Sequence, residues 1–129
     1  MTDELREWLD KAEWDWRSAG ELFGLATLNS GLVLFLCQQC VEKWMKAALI
    51  LRGETPPKIH DLVLLSNRLS KVVSSWTWDV SELRRLSKGA VDYRYPGALP
   101  STDTAQLAYE LAGRLRAALL PLVSSTEDQ

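Results

Sequence analysis

The strongest structural signal in this chain is a mostly apolar segment at residues 32–51, LVLFLCQQCVEKWMKAALIL. At 100° per residue its apolar side chains cover most of a helix circumference, so the segment is predicted to be a central, largely buried helix. Gln39, Glu42 and Lys46 share the remaining narrow stripe, with Gln38 and Lys43 at its edges. Because burying an unpaired charge is costly, these groups must pair with one another or face a cleft. The segment therefore predicts either a buried polar network or a polar pocket.

The composition is that of one soluble domain: 129 residues, 47% hydrophobic and 25% charged. A formal charge of -2 gives no global attraction to nucleic acid. The acidic, amphipathic start of the chain differs from a signal peptide, and the polar residues within the apolar segment argue against a membrane span. Cys37 and Cys40 have apolar neighbours and are interpreted as buried, reduced thiols. We therefore expect a cytoplasmic protein that is not associated with membranes.

Helical periodicity and terminal signals predict five helices, and strand signals are nearly absent. Glycine and paired prolines at residues 53–57 end the second helix and form a loop. The predicted helices begin after Thr2, at a cap formed by Ser30, at residues 60–62, near Asp79 and at residues 101–103.

Four long helices and one short one, joined by modest loops, indicate an all-α fold, an antiparallel up-and-down four-helix bundle with an additional short helix. The fourth helix is expected to point Val80 inward, and the third to bury Val72 or Val73. The last helix should end near residues 121–123, and the polar tail Ser124–Gln129 is expected to fray.

His60 is the only histidine, and its place before a helix suits either an acid–base group or a structural contact. One histidine cannot support a typical histidine-based metal site, so no metal is expected. In the loop at residues 93–96, Arg94 stands between two tyrosines and can present its guanidinium to a phosphate or carboxylate. Alternatively the loop is a structural clamp in which Arg94 pairs with Glu42 or with a helix C-terminus and the tyrosines pack. The sequence contains neither a P-loop nor a dinucleotide-binding fingerprint, and no cofactor is expected.

Taken together, several pieces of the sequence resemble the HEPN domain family (higher eukaryotes and prokaryotes nucleotide-binding), particularly its small stand-alone prokaryotic members. The resemblance covers residues from about 5 to 120, and its specificity comes from the order and spacing of the pieces. They are Trp8-Leu9-x-Lys11-Ala12-x-x-Asp15, Phe35-x-x-Gln38-Gln39-x-x-Glu42-Lys43-x-x-Lys46-Ala47, Gly53, His60-Asp61-Leu62 and Tyr93-Arg94-Tyr95-Pro96.

The resemblance implies a single HEPN-like domain over residues 1–129, with an ordered core at about 3–123, and usually a homodimer. It implies a nucleotide-binding or partner-binding module associated with a minimal nucleotidyltransferase in a toxin–antitoxin-like system. The alternative is a metal-independent ribonuclease toxin, for which His60 and Arg94 are the candidate catalytic residues. Family ribonucleases carry an arginine about four to six residues before a histidine near the last helices. This chain has no such pair, which disfavours the ribonuclease and makes an enzyme less expected than a binding module.

Seven residues that match the family form the predicted site, and two interpretations of it stay open. In one, the site binds a nucleotide or RNA: Lys46 and Arg94 hold phosphate oxygens, Tyr93 or Tyr95 stacks on a base, and Glu42 orients Arg94. In the other, the charged members pair with one another and bind nothing. The seven residues are Gln39, Glu42, Lys46, His60, Tyr93, Arg94 and Tyr95.

Overall fold

The computed structural model describes residues 2–97 and 99–124, which form five α-helices and no strand. The helices are α1 (Asp3–Leu22), α2 (Ser30–Leu51), α3 (Leu62–Val72), α4 (Val80–Asp92) and α5 (Thr102–Ser124). The predicted all-α helical bundle is confirmed. Fraying was predicted for Ser124–Gln129. Ser124 is the last residue of α5, and the rest of that tail lies outside the described residues.

Side-chain caps fix where several helices begin. Thr2, Asp61 and Asp79 each accept a hydrogen bond from a backbone N–H of the first turn of α1, α3 and α4. These bonds satisfy N–H groups that have no partner within the helix. At the other end of α2, Gly53 adopts a φ of 80°, a left-handed conformation that favours glycine and ends the helix.

The cap of α2 differs from the prediction. Asn29 is the capping residue, and its Oδ1 accepts a hydrogen bond from the N–H of Leu32 at 3.0 Å. Ser30, predicted to be the cap, is the first residue within the helix. Its hydroxyl donates instead to the backbone carbonyl of Pro100 and ties the start of α2 to the segment before α5. Asparagine and serine are both favoured N-cap residues, so the sequence allows either Asn29 or Ser30 to cap α2. The contact between Ser30 and Pro100 explains why Asn29 is the cap.

α2 is the central helix, because each of the other four packs against it. α1 and α5 also contact each other, as do α3 and α4, so the two pairs flank α2. Val33, Trp44 and Met45 of α2 are fully buried. Cys37 and Cys40 are buried free thiols, as predicted, and burial raises the pKa of Cys37 to about 12. None of the helices in the described ranges is both long and apolar enough to cross a membrane.

Two valines at helix ends refine the predicted core. Val73, just after α3, is buried, whereas Val72 is exposed. Val80 was predicted to point inward and is 40% exposed, so that prediction is wrong. Trp76, 7% exposed, occupies the interior beside this end of α4 and donates from its Nε1 to Ser66 Oγ at 2.9 Å. Val80 is the first residue of α4, and at this end of the helix the buried side chain is the tryptophan and not the valine.

Candidate functional site

The polar stripe of α2 centres on Glu42, whose side chain is 6% exposed. Its carboxylate accepts hydrogen bonds from Lys46 Nζ at 2.9 Å, from Gln38 Nε2 at 3.0 Å and from His60 Nδ1 at 3.0 Å. Burial opposes ionisation of Glu42, but these hydrogen bonds outweigh it and lower its pKa from the ordinary value of 4.5. Glu42 is therefore ionised at neutral pH, with Lys46 as its counter-charge.

Gln38 joins this network to the loop before α3. The residue is 1% exposed, and its Nε2 donates to Glu42 and also to the backbone carbonyl of His60 at 2.8 Å. Its Oε1 accepts a hydrogen bond from Gln39 Nε2 at 2.8 Å. Gln38 is missing from the predicted site, which contains Gln39 instead. The four-residue spacing of Gln38, Glu42 and Lys46, which places all three on one helix face, is the signal that identifies it.

His60 connects the buried network to the surface. Its side chain is 69% exposed, while Nδ1 lies 3.0 Å from both carboxylate oxygens of Glu42. Because a carboxylate only accepts hydrogen bonds, Nδ1 carries a hydrogen and donates it to Glu42, while Nε2 lies outside this network. The neighbouring carboxylate of Asp61 caps α3, accepting from the N–H of Val63 at 2.8 Å. Within residues 2–97 and 99–124, no three His, Cys, Asp or Glu side chains group as a metal site requires.

A cleft of about 220 Å³ lies beside His60, between α2, the loop before α3 and the end of α4. Arg94 is part of its wall, and its guanidinium lies 5.8 Å from the centre of the Phe35 ring. Among the described residues, no carboxylate lies within ion-pair distance of Arg94. The cleft is lined by Gln38, His60, Asp61, Ser87, Ala90, Val91 and Arg94.

A protein-family model covers most of this bundle, including every residue that lines the cleft. The family model for the HEPN domain matches residues 5–122. The chain belongs to the HEPN family. The membership predicted from the order of motifs is confirmed, and it covers nearly all of the chain. Among the curated proteins, none matches this HEPN sequence.

A solved structure shares the HEPN fold seen here. The crystal structure of TT1696 from Thermus thermophilus superimposes with a TM-score of 0.71. The alignment covers 94% of this chain and 99% of TT1696, with 19% sequence identity. At that identity the similarity shows a shared arrangement of helices and no more.

Lys46 does not line the cleft, although one of the two interpretations of the sequence placed it beside Arg94 as a phosphate ligand. It is 5% exposed, with Nζ bound to Glu42 and 5.6 Å from the centre of the Trp8 ring on α1. Two turns of α2 separate Lys46 from Gln38, so the stripe extends beneath α1 and away from the cleft. Lys43, at the edge of the stripe, pairs with Asp15 of α1.

The two tyrosines of the predicted site have different surroundings. Tyr93 packs on Phe35, with ring centres 5.2 Å apart, whereas Tyr95 is 68% exposed. The guanidinium of Arg94 lies over the Phe35 ring and not against Glu42, whose carboxylate is occupied by other donors. The structure thus joins Glu42, Lys46 and His60 in one network and brings Arg94 to His60 across the cleft.

Proposed function

We propose that this HEPN protein is a nucleotide-binding module that recognises a phosphate group in the cleft between α2, the loop before α3 and α4. The observation that carries the proposal is that His60 and Arg94 line one cleft, and that the carboxylate of Asp61, which also lines it, already accepts hydrogen bonds at the start of α3. Glu42 binds three side-chain donors, and Asp61 caps α3. The guanidinium of Arg94 is thus free of a competing carboxylate among the described residues, and its planar fork suits phosphate oxygens.

Neighbouring groups support a ligand larger than phosphate alone. Ser87 accepts a hydrogen bond from the N–H of Leu62 at 3.2 Å and keeps its own hydrogen available to donate. The cleft, at about 220 Å³, is smaller than the roughly 300–1,000 Å³ typical of pockets that enclose a whole small molecule. We therefore expect the base to lie outside the cleft, stacked on the exposed ring of Tyr95.

Titration with ATP and with GTP, followed by tryptophan fluorescence, tests the proposal. Arg94→Ala should weaken binding at least about tenfold, because a hydrogen bond to a charged group contributes about 1.5–3 kcal/mol. The matched control is Arg84→Ala, which removes an exposed arginine of α4 and should change affinity less than about twofold. Absence of binding at millimolar nucleotide, or equal losses in the two variants, would contradict the proposal.

Association with a minimal nucleotidyltransferase and a role in a toxin–antitoxin-like pair stay predictions from the family resemblance. Co-purification of the chain with a nucleotidyltransferase encoded beside its gene tests the first of them. Ribonuclease activity by the family mechanism is disfavoured, because the sequence has no arginine four to six residues before its single histidine.

A further inference from the structure

A groove of about 310 Å³ lies between α4 and α5, which both pack on α2 but scarcely on each other. Its volume is at the lower end of the roughly 300–1,000 Å³ typical of pockets that enclose a small molecule. Most of its lining is apolar, and Leu107, on α5, is 63% exposed beside it. The other apolar lining residues come from three helices and are Leu34, Leu86, Ala108 and Leu111.

Two paired charges stand at one end of this groove. The carboxylate of Glu82, on α4, accepts hydrogen bonds from Arg114 Nη2, on α5, and from Trp78 Nε1, both at 2.9 Å. The guanidinium of Arg114 also lies 5.9 Å from the centre of the Trp78 ring. Glu82 and Arg114 are thus engaged with each other, and together they add no net charge to the groove.

Arg85 supplies the remaining charge in the lining. It follows Glu82 by about 4.5 Å along α4. Within residues 2–97 and 99–124, no carboxylate lies within ion-pair distance of its guanidinium. The carboxylate of Asp79, at the start of the same helix, already accepts from the N–H and the hydroxyl of Ser81, at 2.8 Å and 2.7 Å. The apolar groove therefore carries one positive charge that has no counter-charge among these residues.

We infer that the groove binds a small organic anion that has an apolar body and a single carboxylate. The apolar body lies on Leu34, Leu86 and Leu111, where burial of apolar surface provides the affinity. The carboxylate accepts hydrogen bonds from the planar guanidinium of Arg85, which selects for the negative charge.

The dimensions of the groove favour a small molecule over a helix of another protein. On α4 the lining spans only residues 82–86, about one helical turn. A helix docked in a groove places its anchoring side chains over about two turns. A short, partly enclosed apolar space with one charge therefore fits a small amphipathic anion better.

This inference stands apart from the proposed nucleotide site. The groove shares no lining residue with the cleft that contains His60 and Arg94. Nucleotide binding can therefore fail while the organic anion binds, and the reverse can also occur.

An NMR titration of the ¹⁵N-labelled full chain with sodium octanoate at neutral pH tests the inference. Amide resonances of the α4 and α5 residues that line the groove should shift and saturate, whereas those around His60 and Arg94 should not. Octanol, which has the same chain length and no charge, is the matched probe for the contribution of the carboxylate.

Arg85→Met removes the guanidinium and keeps an unbranched side chain. It should weaken octanoate binding at least about fivefold and change octanol binding less than about twofold, because only octanoate brings a charge to this position. The expected factor is below that of a buried charged hydrogen bond, since Arg85 is exposed to solvent. Arg84→Met removes the neighbouring exposed arginine, which does not line the groove, and should leave both affinities unchanged.

Ala108→Leu tests the position of the apolar body, because it places a larger side chain in the floor of the groove. It should weaken the binding of octanoate and of octanol alike, with circular dichroism to verify that each variant folds. The inference is overturned if millimolar octanoate leaves the groove resonances unchanged, including the case in which another protein chain covers the groove. Equal losses of octanoate binding in Arg85→Met and Arg84→Met, or unchanged binding in Ala108→Leu, would also overturn it.

Discussion

Two glutamate–lysine pairs with the same four-residue spacing lie in contrasting regions of the molecule. The Glu42–Lys46 pair on α2 joins atoms 2.9 Å apart, and its side chains are 6% and 7% exposed. The Glu7–Lys11 pair on α1 is 3.2 Å long, with exposures of 67% and 62%. Exposed pairs contribute about 0–1 kcal/mol, whereas removal of one partner from a buried pair costs about 3–5 kcal/mol. The spacing is thus uninformative by itself, and the burial of the helix decides what the pair does.

Glu42→Gln should give the largest effect and most clearly separate the two pairs. It leaves Lys46 as a buried charge without its counter-charge and removes the anion that holds His60. We expect the free energy of unfolding to fall by about 3 kcal/mol. This is the lower end of the range for a buried pair, because the His60 side of the network is exposed to solvent. Urea denaturation measures the change. A loss below about 1 kcal/mol would make the buried pair equivalent to a surface pair and contradict the comparison.

Acid should reduce the difference between the wild type and Glu42→Gln. The folded-state pKa of Glu42 lies below its ordinary value of 4.5, so the carboxylate stabilises the fold above that pH. This stabilisation is lost as the pH falls through the folded-state pKa. The free energies of unfolding of wild type and Glu42→Gln should therefore converge below about pH 4.5. Parallel pH profiles for the two proteins would count against this origin of the stabilisation.

Glu7→Gln should have the smallest effect and serves as the matched control for the same spacing. Both side chains of that pair are mostly in solvent, where hydration and salt screen their attraction. We expect the free energy of unfolding to change by no more than about 0.5 kcal/mol. The same urea denaturation measures it, and a loss comparable to that of Glu42→Gln would remove burial as the explanation.

The sequence predicts the central helix and its polar network because both follow from burial. Residues 32–51 are too apolar to remain at the surface, and the charges of Glu42 and Lys46 must then be paired. The choice between Gln38 and Gln39 is harder, since adjacent residues differ by 100° around a helix and the sequence places Gln39 on the stripe and Gln38 at its edge. The carbonyl of His60, which comes from a distant part of the sequence, determines that Gln38 is the buried one.

The positions of the loop residues around the cleft could not be predicted as well as the central helix, because loops have no periodicity. Tyr93 packs toward α2 since Gly31 leaves room for its ring, which lies 3.0 Å from where a β-carbon at that position would be. Phe35 then provides the surface for both Tyr93 and Arg94. These contacts keep Arg94 away from Glu42 and leave it at the cleft, an outcome that the motif Tyr93-Arg94-Tyr95 does not specify.

Nitrogen NMR of the histidine ring tests most directly whether buried Glu42 holds His60 at a cleft that binds nucleotide phosphate. His60 is the only histidine in the sequence, so a ¹⁵N-histidine-labelled sample reports on this ring alone. We predict that Nδ1 carries a hydrogen bonded to Glu42, and that the Nε2 resonance shifts when millimolar ATP is added. An Nδ1 without a hydrogen in the free protein, or a ring spectrum that ATP leaves unchanged, would contradict the account.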